Sequence, residues 1–323
     1  MTKTIFILLA FMGLCKLTYS QYAPAVGQLG STAISKDSAV IVAWASGVNA
    51  QICWQNIADT SLGKANNGIA SDVLGIADNT TLSLGDGGQA TLSFNQPIYD
   101  GPGWDFTVFE NGFTDYFLEL AFVEVSSDGV NFVRFPAHSL TPLDSQITAF
   151  GTLNPEKINN LAGKYRGGFG TPFDLGELIG SPNLDIQNIT HVRIIDVIGS
   201  IDSAYGQLDK EGNFVNDPFS TPFPSSGFDL DAVGIIHQFV GFEEINSSNE
   251  LINLFPNPTR DIIHFNADFE GQAEIYSQWG TLVCQVEVAN GMNSIPVLHL
   301  SKGMYFIRLI GNEKSLIGKF ILE

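Results

Sequence analysis

Cysteine is scarce, with 3 in 323 residues. Cys15 lies in an N-terminal apolar stretch. Cys53 and Cys284 fall in segments assigned below to different domains, so no disulfide framework is expected and both are read as small buried hydrophobes. Two cysteines also fall short of a cysteine-built zinc site. Positive charge is equally thin: 15 Lys plus Arg stand against 34 Asp plus Glu, a formal net charge of −19. Such a chain repels nucleic acid phosphates, which excludes that partner class. It suits work outside the cell, where carboxylates meet divalent cations, although an acidic surface also simply aids solubility. Past the N-terminus no run approaches the roughly 20 apolar residues of a membrane-spanning helix. Gly-x-Ser-x-Gly, His-Glu-x-x-His and P-loop patterns are missing. The histidines, His138, His191, His237, His264 and His299, follow no metal-ligand spacing. These absences lean away from an enzyme.

Residues 1–20 read as a signal peptide. Lys3 supplies the positive start, Ile5 to Leu14 an apolar stretch of about ten residues, and Thr18-Tyr19-Ser20 small residues before a cut ahead of Gln21. Leu14 stands where a lipoprotein signal needs a small residue, so lipidation of Cys15 is not expected. Residues 21–242 are then expected to form a first, larger domain. Glu243 to Glu250 is polar and acidic, and 243–253 reads as a solvated linker. Residues 254–323 form a small C-terminal domain.

The expected fold is all-β. Gln89 to Phe94, Phe117 to Val125 and His191 to Ile198 alternate apolar with polar residues, and Ser126-Ser127-Asp128-Gly129 turns into Val130 to Phe135 as a hairpin. Many short strands between Gly-, Asn- and Pro-rich breaks predict a jelly-roll-type β-sandwich, with one short helix over Asn154 to Ala162. The C-terminal domain is expected to be a second, smaller immunoglobulin-like β-sandwich.

Chemistry concentrates in two stretches. Asp100 to Phe113 delivers a strand on which Phe106, Val108 and Glu110 share a face. A core-directed carboxylate there needs a partner: an arginine, backbone amides or a metal. In Ser226 to Val233, Asp229 and Asp231 lie two apart, a like-charged pair that calls for a cation or donors. Calcium takes several hard oxygen ligands, so Asp105, Glu110, Asn111, Asp229 and Asp231 are the candidate calcium ligands. The alternative is exposed acids plus a carboxylate paired with arginine. Lys164, Tyr165 and Arg166 form a rare basic spot. It suits an anionic or glycan ligand stacked on Tyr165, or an ion pair from Arg166 to an acid such as Glu110. Asp209 to Pro218 departs from calcium-loop spacing and reads as a hairpin tip. Phe219 to Pro224 reads as a rigid exposed contact loop.

Four C-terminal segments stand in a set order: Pro256-Asn257-Pro258; Ala273 to Val283 with its turn at Gly280; Leu300 to Leu309 with Gly303 and Tyr305; and Lys314 to Glu323 with Lys319. Together they resemble the C-terminal sorting domain of type IX secretion cargo in Bacteroidetes. The resemblance implies Sec export to the periplasm, docking on the type IX translocon, cleavage by its sortase machinery, and release or attachment to surface lipopolysaccharide. Gly101 to Phe113, Leu161 to Gly168 and Gly227 to Val233 resemble a looser group of secreted bacterial cell-surface proteins, which implies a sandwich fold and no activity. The function expected is a secreted or surface-attached non-enzymatic binding protein, calcium-stabilised and glycan-directed. A polysaccharide-acting hydrolase and a structural surface adhesin are the alternatives. Deleting Leu254–Glu323 should leave the remaining chain in the periplasm when cells are fractionated; undiminished surface delivery of the truncated protein would refute the address.

Overall fold

The structure, a computed structural model, describes residues 22–239, 252–311 and 315–323. The signal-peptide segment, its cleavage point and Glu243–Glu250 lie outside them. Two compact units divide the chain, Met1–Phe239 and Val240–Glu323. No helix among the described residues is long and apolar enough to cross a membrane.

The first unit is a sandwich of two antiparallel sheets. In chain order its strands begin with β1 (Ile34–Ser35), β2 (Ala43–Trp44), β3 (Gly47–Gln51), β4 (Leu82–Ser83) and β5 (Gln89–Ile98). Next come β6 (Phe106–Glu110), β7 (Ala121–Ser126), β8 (Val133–Arg134), β9 (His138–Ser139) and β10 (Ile158–Asn159). Then follow β11 (Leu161–Ala162), β12 (Phe169–Phe173), β13 (Ile189–Asp196) and β14 (Asp229–Ile235). One sheet runs β1-β12-β6-β14-β2, with β4 also on β14; the other runs β11-β7-β13-β5-β3, with β8 on β7.

The core lies between the sheets. Phe106, Val108, Phe173, Leu230 and Val233 from the first meet Leu92, Val123, Val125, Val192 and Ile194 from the second. Phe106 stacks on Phe173 at 5.3 Å between ring centroids and meets Phe135 edge-on at 5.9 Å. The sheets differ on their outer faces. The second keeps its polar alternate residues toward water, as β13's alternating burial records. The first is covered there too, by a cluster of Ala77, Phe109 and Ala232 with Ile41 and Trp44 packed on it. Every residue of β6 and β14 is therefore buried.

Some expectations shift. Strand β7 begins at Ala121 rather than Phe117. Residues 117–120 are not strand, and Leu118 and Leu120 anchor a separate loop core with Phe122, Ile158 and Val197. The helix expected over Asn154–Ala162 is one 3-10 turn, Pro155–Lys157, capped by the Asn154 side chain on Glu156 N–H. β-Branched Ile158 and left-handed Asn160 (φ 52°) turn the chain back into β10 and β11. Cys53 and Cys284 are free thiols, half-buried rather than buried.

The second unit has β15 (Ile262–Ala267), β16 (Gly271–Ser277), β17 (Leu282–Val288), β18 (Gly291–Pro296), β19 (Gly303–Ile310) and β20 (Ser315–Leu322). β15 pairs with β18, and a four-stranded sheet runs β17-β16-β19-β20. Its own core includes Phe265, Ile275, Ile307, Leu309 and Phe320.

Truncating a buried aromatic loses its transfer free energy and leaves a cavity. Phe106→Ala should cost about 3–5 kcal/mol, read by denaturant unfolding, whereas exposed Phe113→Ala should stay within about 0.5 kcal/mol of wild type.

Candidate functional site

The ends of β6 and β14 meet because the strands pair antiparallel, with Leu230 opposite Glu110. This brings Glu110, Asn111 and Asp229 together. Glu110 is buried and accepts Gly112 N–H at 2.8 Å. Asp229 accepts from the Ser83 hydroxyl, and the Asn111 amide donates to Thr81 Oγ1 at 3.3 Å. Burial, then the Asp229 and Asp217 charges, push the Glu110 carboxyl well above the usual range. Burial raises Asp229 to about 6.

Three further carboxylates join them. Glu119 follows the loop leaving Glu110; Asp196 ends β13; Asp217 precedes Pro218. Asp196 is tied by two amides, Gly87 N–H at 2.8 Å and Phe228 N–H at 2.6 Å. Asp217 accepts Leu120 N–H at 2.9 Å through Oδ2, while its buried Oδ1 has no partner. Glu119 accepts no hydrogen bond from any described residue; burial and then Glu110, Asp229, Asp217 and Asp196 raise its pKa well above normal. Sequence patterns missed all three. Glu119 sits in an alternating run and Asp217 in the polar Asp209–Pro218 stretch; only Asp196, which closes an apolar strand after Ile194 and Ile195, carried a signal.

Asp105 and Asp231 do not join this group. Asp105 lies at the far end of β6, where it accepts Gly101 N–H (2.8 Å) and Leu175 N–H (2.6 Å) and bonds His237 Nδ1 (2.7 Å). There Asp100, Asp105 and Asp174 have ligating atoms within 4.8 Å of one another, a closeness no other such set reaches among the described residues. Three donors already occupy Asp105, and Asp174 accepts Gly176 N–H, so the trio ties loops together. At Asp231 the register slips by one residue, which breaks the two-residue period. Its carboxylate accepts instead from Asp78 N–H (3.1 Å) and Asn79 N–H (3.2 Å).

The basic spot is a structural fastening. Tyr165 is 1% exposed, its hydroxyl bonded to Thr32, so it offers no stacking face. Lys164 is buried, donates to the Ile158 carbonyl at 2.8 Å and faces the Tyr22 and Tyr165 rings. Arg166 pairs with Asp115 at 2.5 Å, not with Glu110. At the Asp209–Pro218 hairpin, Leu208 bridges Phe214, and Asp209 Oδ1 accepts from Glu211 and Asn213 N–H.

Two surface features remain. On the second sheet's outer face, Asn49, Thr91, Arg193 and Glu124 align in one cross-strand row, and Gly47, Ser93, His191 and Ser126 in the next. Asn49, Thr91 and Arg193 from one row and Gly47, Ser93 and His191 from the other line a recess of about 540 Å3, with Phe132 on its wall. Gly47 keeps it open, since a Cβ there would lie 2.4 Å from Ser93 Oγ. Arg193 lies 3.4 Å over the Phe132 ring and pairs with Glu124 at 3.3 Å. Separately, Phe113, Phe117, Phe150 and Phe223 form a chain of ring contacts at 5.8, 6.4 and 5.6 Å. Phe113 and Phe150 are 81% and 75% exposed.

In the second unit the Pro256–Pro258 segment is stitched to the last strand. Asn257 Nδ2 donates to the Lys319 carbonyl and its Oδ1 accepts Ile321 N–H; Thr259 N–H donates to the Ile321 carbonyl. Gly280 takes a left-handed φ of 77° in the turn from β16, and the Tyr305 hydroxyl donates to the Ser301 carbonyl. Residues 253–323 match the family model of the secretion system C-terminal sorting domain. This unit is a type IX secretion sorting domain. The protein is exported by that system to the cell surface or beyond, and its sorting domain interacts with the secretion machinery.

No curated protein matches the chain. Among solved structures it is similar to the BSP domain of a biofilm associated protein, at 11% identity over 87% of this chain and 52% of that one, TM-score 0.20. It is similar to a β-glucuronidase from Ruminococcus gnavus, at 10% identity over 87% and 44%, TM-score 0.20. It is also similar to the CBM51-2 and INT domains of Clostridium perfringens ZmpB, at 7% over 88% and 83%, TM-score 0.19. The chain spans about half the length of the first two. TM-scores this low carry no argument about activity.

Burial pushes Lys164 down to about 8. A lysine whose folded pKa is depressed destabilises below that value, and the penalty lifts as pH rises toward the unfolded pKa. Unfolding free energy of wild type relative to Lys164→Met should therefore rise between pH 7.5 and 10; parallel profiles would show that Lys164 does not titrate there.

Proposed function

We propose that the first unit is a non-enzymatic binding module that carries a glycan in the recess on the outer face of its second sheet. The observation that carries this reading is the pair of aligned rows, Asn49-Thr91-Arg193 and Ser93-His191, beside Phe132. Sugars present hydroxyls around a ring with apolar faces. They are held by planar or short hydrogen-bonding side chains on rigid strands and by an aromatic or guanidinium plane. The recess falls within the roughly 300–1,000 Å3 of small-ligand sites. Arg193 shares the Glu124 carboxylate with Arg134, which holds its guanidinium in place beside the recess.

Adhesion to another protein surface is a second reading, favoured by the exposed phenylalanine chain, since solvent-facing aromatics in mutual contact mark interaction surfaces.

A glycan array probed with the purified protein should give binding that Asn49→Ala weakens about tenfold, roughly 1.4 kcal/mol, with no change in melting temperature. Binding that survives Asn49→Ala and Thr91→Ala but fails in Phe113→Ser with Phe150→Ser would move the contact to the aromatic chain. No binding to any glycan would overturn the reading.

A further inference from the structure

We propose that the outer face of the second unit's four-stranded sheet is the surface by which the secretion machinery takes hold of the sorting domain. This goes beyond the glycan reading, and neither depends on the other. Its starting point is the family match of residues 253–323, which says that this machinery acts on the domain and names no surface.

Strand pairing fixes which side chains share that face. Ile275, Tyr305, Ile307, Leu316 and Phe320 are buried in the unit's core, so their alternate neighbours point outward. The cross-strand register sets those outward residues in rows. The first row holds Met304 and Ile321. The second holds Leu282, Tyr276, Phe306 and Lys319. The third holds Gln285, Glu274, Arg308 and Ile317, and the fourth Glu287, Gln272, Ile310 and Ser315.

A sheet face turned to water carries polar residues at such places. Here polarity is sorted along the strands instead. The third and fourth rows are mostly polar, whereas the first and second are apolar apart from Lys319. Leu282, Met304 and Ile321 are exposed, and Trp279, in the turn that joins β16 to β17, is 83% exposed. Tryptophan, tyrosine, phenylalanine and methionine are the types that gather in the cores of protein interfaces. An exposed apolar patch with a polar margin marks an interaction site. The unit's other sheet lacks this sorting. Its outward pairs are Ile262 with Pro296, His264 with Ser294 and Asn266 with Met292, and His264 Nδ1 bonds Ser294 Oγ at 2.7 Å.

Charge narrows the partner. Residues 254–323 hold 5 Lys plus Arg against 7 Asp plus Glu, a net −2, in a chain of net −19. The sorting domain is therefore nearly neutral, and the long-range repulsion an acidic partner would meet elsewhere on the chain is small here. Within the two apolar rows the one charge is Lys319, exposed and in no ion pair among the described residues. Arg308, one row on, stands opposite Glu274. The face thus fits a protein surface with an apolar centre and a carboxylate at its rim. Asn257 bonds the Lys319 carbonyl and Ile321 N–H, which fixes the stretch of β20 that presents both side chains.

The test expresses the full chain in a host with type IX secretion. It compares the fraction delivered to the surface or medium with that left in the periplasm, alongside thermal melts of each purified variant. Leu282→Glu with Ile321→Glu should lower the delivered fraction at least tenfold while melting within about 2 °C of wild type, because both side chains are already exposed. Lys319→Glu should lower delivery and Lys319→Arg should keep it. Met292→Glu, exposed on the other sheet, should be delivered as wild type is. If the double variant melts below that margin, Leu282→Gln with Met304→Gln takes its place under the same criteria. Wild-type delivery of the double variant or of Lys319→Glu, or an equal loss in Met292→Glu, would overturn the assignment. So would purified wild type that sediments as a dimer and becomes monomeric in Leu282→Glu, since the face would then belong to a second copy.

Discussion

The first sheet of the cargo unit is packed on both faces, and this constraint governs most of what is unusual about its chemistry. A strand with one wet face sends alternate polar side chains to solvent at no cost. Strands β6 and β14 have no wet face, yet they carry Thr107, Glu110, Asp229 and Asp231. Each carboxylate must then find donors inside the protein. Backbone N–H groups supply most of them: Gly112 for Glu110, Asp78 and Asn79 for Asp231, Gly101 and Leu175 for Asp105. The acids thereby become ties between strands and the loops that cover them. Beyond these strands, one buried oxygen of Asp217 has no donor among the described residues.

The second sheet shows the opposite condition. Its outer face stays open, so its polar residues need no internal donors and can be spent on a ligand. The Arg193 guanidinium lies over the Phe132 ring, pairs with Glu124 and donates through Nε to Thr91, which fixes its position on the open face. One sandwich thus separates a dry, acid-laden sheet that fixes loops from a wet sheet that presents planar hydrogen-bonding groups.

Legibility in the sequence followed the same division. Gln89–Phe94 and His191–Ile198 show their alternation because one face is solvated, and both lie in strands. The convergence of Glu110, Asn111 and Asp229 was visible because both stretches read as strands ending in carboxylates. Asp231 misled because a one-residue register slip leaves no mark in composition. Asp105 misled because proximity in sequence along a strand puts its two ends far apart. Lys164, Tyr165 and Arg166 looked like a ligand patch because burial of a Lys-Tyr pair depends on distant partners, Thr32 and the Ile158 carbonyl. Asp217 was hidden for a similar reason, as Leu120 N–H reaches it across 97 residues. The cross-strand rows of the recess depend on the pairing order β7-β13-β5-β3, which no local pattern encodes. In the sorting domain, by contrast, the recognisable residues are those of local turns and one strand pair, so the pattern survives without knowledge of the fold.

The stitching of Asn257 and Thr259 to β20 has a temporal meaning. Lys319, Ile321 and Glu323 supply the bonding partners of the entry segment, and β20 closes the edge of β19. A ribosome that has made the cargo unit and most of the sorting domain has still produced an open edge and an unmatched entry turn. The domain becomes a finished object only when synthesis has passed its last strand. Any chain lacking β20 leaves the β19 edge unpaired and Asn257 and Thr259 without their partners, however well its cargo unit has folded.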